Sequence, residues 1–197
     1  MGRPKGLLDF GGQPLILRIA RLVDPLVSGL ALVGAPETYA ALGLQVIEDR
    51  QFSDAVKDDR PPGPLAGIAT ALAATHTDWN LVLACDLPYL TGDWLGWLLA
   101  RAMSSDRQII MPRTAGGLEP LAAVYRRECA EQIIAALRRG IRKVTDAMEE
   151  FRIEFVDQGE WRHLDPDGHV LRNMNAPEDY EEARKWVEAR LPREDIR

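Results

Sequence analysis

Asp86 closes the most continuously apolar stretch of the chain, NLVLACDLP, where Leu81 to Cys85 deliver it to the end of an expected strand. In an open parallel sheet, ligands collect beyond the carboxyl ends of the strands. A carboxylate at that point can hold Mg2+ against nucleotide phosphates, because the ion takes one or two protein carboxylates and completes its shell with phosphate oxygens and water. An aspartate also caps turns, and DLPYL reads as a turn as well. Lys5, in MGRPKG, carries a mobile ammonium able to neutralise the phosphates that Asp86 and its ion would touch. A single surface lysine has no such role by default.

Three further stretches have the chemistry of a nucleotide pocket. In PPGPLAG the glycines Gly63 and Gly67 let backbone approach a flat base or sugar, and the helix that follows begins with N–H groups lacking an intrahelical acceptor. The same stretch also fits a rigid loop with no ligand. Asp49 ends VIED, where its carboxylate can accept hydrogen bonds from the N–H edge of a guanine-like ring. Asn173 and Asn175, in RNMNAP, present amides suited to phosphate oxygens or to water on an ion, and equally suited to a turn. His76, His163 and His169 have no metal-ligand spacing, and Trp94 and Trp97 read as packing residues. The chain has no complete phosphate-binding P-loop, no G-x-G-x-x-G and no G-x-S-x-G.

The elements that must position these residues read as an α/β chain. LLDFGGQPLILRIARLV passes through a Gly-Gly turn into a helix with Pro14 in its first turn and Leu15, Ile19 and Leu22 on one face. SGLALVG, LQVIED, NLVLAC, RQIIMPR, LAAVY and RIEFVD read as strands, with helices over PETYAALG, LAGIATALAAT, TGDWLGWLLARAM, CAEQIIAALRRG, IRKVTDAMEE and from Pro177 onward. Strand and helix alternate, which predicts three layers, α/β/α, around a mostly parallel central sheet. The continuous apolar run LVLAC predicts a strand buried on both faces.

A length of 197 residues suits one domain, and no linker divides it. With 46% hydrophobic and 27% charged residues the chain has the composition of a folded globular protein. A formal charge of -6 gives no global attraction to nucleic acid or to an anionic bilayer. No apolar run approaches the ~20 residues that span a membrane. Cys85 and Cys129 form no C-x-x-C pair and are expected as reduced thiols. With no spanning run and no signal-peptide core read at the N-terminus, the cytoplasm is the expected compartment.

Taken in order, MGRPKGLLDFGGQPL, VIED, GPLAG, LACDLP, EPLAAVY and RNMNAPEDY resemble the molybdenum cofactor guanylyltransferase family, over Met1 to about Glu182. Any one of these motifs is weak; the ordered set is specific. The resemblance implies a Rossmann-like nucleotidyltransferase that moves GMP from GTP to the terminal phosphate of molybdopterin and releases pyrophosphate. It implies Lys5 as phosphate ligand, Asp86 as magnesium ligand and Asp49 at the guanine end. Gly63, Pro64, Leu65 and Gly67 form the adjoining loop, Gly2 closes the nucleotide loop, and Asn173 and Asn175 lie toward the molybdopterin. Transient contact with molybdopterin-synthesis proteins or recipient molybdoenzymes would follow. CMP transfer from CTP stays open; guanine is favoured chiefly by Asp49, a discrimination of about 1–3 kcal/mol for a buried contact. The family pattern places a strand and LAGG-x-S-x-R before the methionine. The single domain over residues 1–197 is therefore expected to be N-terminally incomplete, either from a start codon assigned too late or as an impaired nucleotide-binding protein without turnover.

Overall fold

The computed structural model describes residues 4–52 and 63–190. The helices are α1 (Leu15–Val23), α2 (Pro36–Tyr39), α3 (Pro64–Ala74), α4 (Gly92–Met103), α5 (Cys129–Arg138), α6 (Val144–Ala147) and α7 (Pro177–Glu188). The strands are β1 (Leu32–Val33), β2 (Val46–Ile47), β3 (Trp79–Leu83), β4 (Ile109–Thr114), β5 (Gly117–Leu118), β6 (Ala122–Arg126) and β7 (Ile153–Asp157). Strand and helix alternate as the hydrophobic runs require, so the α/β class holds.

The chain divides into two compact units. One comprises Met1–Gly29, Leu83–Trp97 and Gln158–Arg197; the other comprises Leu30–Val82 and Leu98–Asp157. In the second unit β1 pairs in parallel with β2, Leu32 opposite Val46. A five-stranded sheet runs β3-β6-β4-β5, with β7 also on β4. It is mixed: β4 and β7 are parallel, whereas β6 and β5 run antiparallel to β4. The strand GLEPLAAVY returns beside β4 by a short connection, and a short return forces antiparallel pairing.

Under this sheet lies a core in which Leu65, Ile68 and Leu72 of α3 meet Ile133, Ala136 and Leu137 of α5, with Ile109, Met111 and Tyr125 from the strands. Each fully buried Leu or Ile contributes about 1.5–3 kcal/mol relative to exposure. β3 departs from expectation. It is half-buried along its whole length, because it ends the strand order and pairs only with β6 among the described residues. Apolar character reported the strand correctly but not its place at an edge.

The first unit is packed by rings. Trp94 and Trp161 are fully buried and meet edge to face at 6.0 Å, with Trp97 tilted against Trp161 at 5.7 Å. Phe10 meets Tyr180 edge to face at 5.4 Å, and the Tyr180 hydroxyl donates to the Asp9 carbonyl at 2.9 Å. These contacts tie the Gly-Gly turn to α7 and confirm the packing role read for Trp94 and Trp97.

Candidate functional site

Lys5 begins a 3-10 turn, Lys5–Leu7, formed because the Leu7 N–H donates to the Pro4 carbonyl at 3.0 Å and the Leu8 N–H to the Lys5 carbonyl at 3.1 Å. Gly6 is buried against Cys85. A methyl group built on Gly6 would lie 3.1 Å from Cys85 Cβ and 3.3 Å from its Sγ. A side chain at this position would oblige the segment that carries Asp86 to give way by a few tenths of an ångström.

The consequence is a contact across 81 residues of sequence: Lys5 Nζ donates to Asp86 Oδ2 at 3.1 Å. The same ammonium donates to Asn175 Oδ1 at 3.0 Å. Lys5 is 33% exposed and Asp86 21%, so the pair is largely shielded from water while still reaching the surface. The Met174 N–H donates to the Asp86 carbonyl at 3.2 Å, and the Met174 side chain is fully buried. That anchor sets the depth at which Asn175 emerges. Asn173 is exposed and takes no part in the contact. The Cys85 thiol is pushed up by burial and then by the Asp86 charge, with Lys5 opposing, so it stays protonated and adds no charge beside the pair.

In the second unit, Asp49 follows β2 and faces α3. The Arg50 N–H donates to Thr70 Oγ1 at 3.1 Å, and Thr70 is a fully buried polar residue in mid-helix. This bond pins the end of VIED to α3. Asp49 Oδ1 is buried with no hydrogen-bond partner among the described residues, and burial holds its carboxyl above the usual carboxylate range. A methyl group on Gly67 would lie 3.7 Å from that oxygen.

The stretch Gly63 to Gly67 is a helix start rather than a loop. Gly63 is the extended cap residue, Pro64 the first helical residue, and the Ala66 and Gly67 N–H groups fold back on the Gly63 carbonyl at 2.9 and 3.3 Å. Proline suits that position because it has no N–H to satisfy. Leu65 is fully buried, so its side chain belongs to the core and only its backbone is left for a ligand. Gly2 lies outside the described residues.

Three residues that fix these groups were not read from the sequence: Gly6, Thr70 and Asp179, whose Oδ2 accepts from the Asn175 and Ala176 N–H groups at 2.9 Å. A glycine directly after Lys5 was the signal for the first. A hydroxyl on the inward face of an otherwise apolar helix was the signal for the second. Asp179, three residues past Ala176, was the signal of a helix cap.

The oxygens of Asp86 and Asn175 converge on one cationic nitrogen, which shows that the position suits positive charge. One carboxylate and one carboxamide oxygen are hard donors of the kind Mg2+ takes, with phosphate and water to complete the shell. Among the described residues no group of three or more His, Cys, Asp and Glu side chains could hold a metal without a substrate. Cys85 and Cys129 are free thiols, and among the described residues no helix is long and apolar enough to cross a membrane.

Residues 1–151 match the family described as the MobA-like NTP transferase domain. The chain belongs to that family. It is 36% identical over 179 residues to the molybdenum cofactor guanylyltransferase of Pseudomonas aeruginosa (strain LESB58), covering 90% of this chain and 84% of that protein. The probable molybdenum cofactor guanylyltransferase of Pelotomaculum thermopropionicum is 30% identical over 189 residues, 95% of this chain and 87% of its own. Among solved structures, the molybdopterin-guanine dinucleotide biosynthesis protein A of Archaeoglobus fulgidus superposes with a TM-score of 0.78 at 23% identity, over 95% of this chain and 92% of that one. The MobA-like chain is thus a nucleotidyltransferase with the expected Rossmann-like fold. The resemblance read from its ordered motifs is borne out.

Proposed function

We propose that this MobA-like transferase acts in molybdenum cofactor biosynthesis, moving GMP from GTP to the terminal phosphate of molybdenum-molybdopterin. The reading is carried by one observation: Lys5, Asp86 and Asn175, from three separate motifs, meet through a single ammonium group. A terminal phosphate oxygen of the acceptor attacks the α-phosphorus of GTP. The new O–P bond forms as the bridge to the β-phosphate breaks, and pyrophosphate carries away the electron pair. Lys5 neutralises charge on the transferring phosphate, and Asn175 with Asn173 orients the acceptor. A phosphate nucleophile is already ionised near neutral pH, so no side chain is needed as base. Asp86 would hold Mg2+, which supplies further charge neutralisation when bound.

Asp49 reads the base beside the first turn of α3, formed by Gly63, Pro64, Leu65 and Gly67. Its half-buried carboxylate matches the N1–H and 2-amino donors of guanine, and cytosine has no such paired edge. On this reading the partners are small molecules, with transient contacts to proteins that supply or receive the cofactor in the cytoplasm.

The test is pyrophosphate release with Mg2+, molybdopterin and GTP or CTP in competition. Asp86→Asn is expected to lose at least about 100-fold in transfer with its circular dichroism and melting temperature intact, since a charge-stabilising group is worth several kcal/mol. A folded Asp86→Asn protein with full activity overturns the assignment. Equal competition by CTP moves the reading to cytidylyl transfer, and GTP binding without pyrophosphate release makes the protein a non-catalytic binder.

A further inference from the structure

Asn175 carries the amide oxygen that meets Lys5, yet it is an exposed residue in a loop. Its place is fixed by its main chain. The Asn175 N–H donates to Asp179 Oδ2 at 2.9 Å, and the neighbouring Ala176 N–H donates to the same oxygen, also at 2.9 Å. Asp179 is the third residue of α7, and Ala176 at the cap position brings no side-chain oxygen of its own. The other carboxylate oxygen, Asp179 Oδ1, is turned toward Arg172 Nη2 at 3.5 Å. Arg172 in turn holds Glu182 with two bonds of 2.7 Å and lies over the Tyr89 ring at 5.9 Å. The segment from Arg172 to Ala176 is thus clamped at both ends onto α7 by side chains, and Asp179 is the group that touches the backbone of Asn175.

We infer that Asp179 is a positioning residue for the transfer site: its carboxylate fixes the Asn175 main chain so that Asn175 Oδ1 holds the Lys5 ammonium beside Asp86. The inference rests on the reading of Lys5, Asp86 and Asn175 as that site. The plain alternative is a helix cap that stabilises α7 and nothing more. The two differ in what a cap loss does to Lys5. A carboxylate that only stabilises the helix affects Lys5 no more than any other change that weakens α7.

The experiment compares Asp179→Ala, Asp179→Asn and Lys185→Gly, the last an exposed position within α7 that touches none of these groups. Two quantities are read. The first is the rate at which N-hydroxysuccinimidyl acetate acylates Lys5, followed by peptide mass spectrometry. The second is the KM for molybdopterin against kcat. Asp179→Ala is expected to raise Lys5 acylation at least threefold and KM for molybdopterin about tenfold, with kcat changed less. Asp179→Asn keeps a carbonyl oxygen for the two N–H groups and is expected to recover most of both effects. Lys185→Gly is expected to lower the melting temperature with both readouts unchanged. Wild-type Lys5 reactivity in Asp179→Ala overturns the inference, as does a Lys185→Gly protein that reproduces the Asp179→Ala pattern. If wild-type protein transfers no nucleotide, the functional reading fails by itself, and the acylation rates still decide whether Asp179 positions Lys5.

Discussion

Gly6 is buried, and a methyl group there would stand 3.1 Å from Cys85 Cβ. Contacts this short oblige one segment to shift, and neither a Cβ nor a helical-turn backbone can rotate away. Gly6→Ala is therefore expected to separate Lys5 Nζ from Asp86 Oδ2 and to lower kcat/KM by about tenfold or more, the order of loss seen for small misplacements of catalytic groups. Gly6→Ala/Cys85→Gly removes the opposing Cβ and is expected to restore part of the rate. Steady-state pyrophosphate release on both variants checks this, and a Gly6→Ala enzyme with wild-type kcat/KM refutes it. The sequence showed Lys5, Asp86 and Asn175 as separate candidates. What it did not show was the glycine that lets them meet, because close approach is a property of two segments together.

Helix α3 illustrates how one element divides its labour. Leu65, Ile68 and Leu72 face the core, Thr70 binds the Arg50 N–H, and Gly67 stands under Asp49 Oδ1. A glycine inside a helix costs up to about 1 kcal/mol relative to alanine. Gly67→Ala is expected to stabilise the protein by about 0.5–1 kcal/mol in urea unfolding. Asp49→Ala, by contrast, is expected to weaken GTP binding at least tenfold in titration calorimetry, because it removes the carboxylate proposed to receive the base. Unaltered GTP affinity removes Asp49 from the base site. The helix itself was legible from the LAGIATALAAT run. Its start at Pro64 was less so, since GPLAG reads equally as a loop until the Gly63 carbonyl is seen accepting the first helical bonds.

Across the whole molecule two sets of carboxyl groups pull stability in opposite directions with pH. Burial raises Asp49, and it raises Glu119 against an opposing bond from the Thr114 hydroxyl. Folding these two in ionised form is unfavourable, so their protonation on acidification stabilises the native state. Burial also pushes Glu154 up, but bonds from Ser105 and Arg101 outweigh it and hold the group low. Asp157 is lowered by Arg113, Glu182 by Arg172, and Asp179 by the Asn175 and Ala176 N–H groups. These four stabilise the fold while ionised and lose that contribution as pH falls through their depressed values. The urea midpoint is expected to rise slightly as acidification passes through the raised values of Asp49 and Glu119, and to fall once pH drops through the depressed values of the other four. Asp49→Asn/Glu119→Gln is expected to abolish the rise and keep the fall. A wild-type midpoint that only declines from pH 7 contradicts this balance.

The order of apolar runs, turn residues and polar strand ends determined that this chain is α/β, and the ordered motifs were enough to point to its family. Those features are local: hydrophobic period, proline at a helix start and a carboxylate after a strand are each written in a few adjacent residues. Tertiary structure alone decided that β3 ends the strand order among the described residues, that Asn175 rather than Asn173 reaches Lys5, and that Asp179 accepts from the Asn175 main chain. Each of these depends on which distant segments pack together, and packing is settled by close contacts such as Gly6 on Cys85 that no stretch of sequence contains by itself.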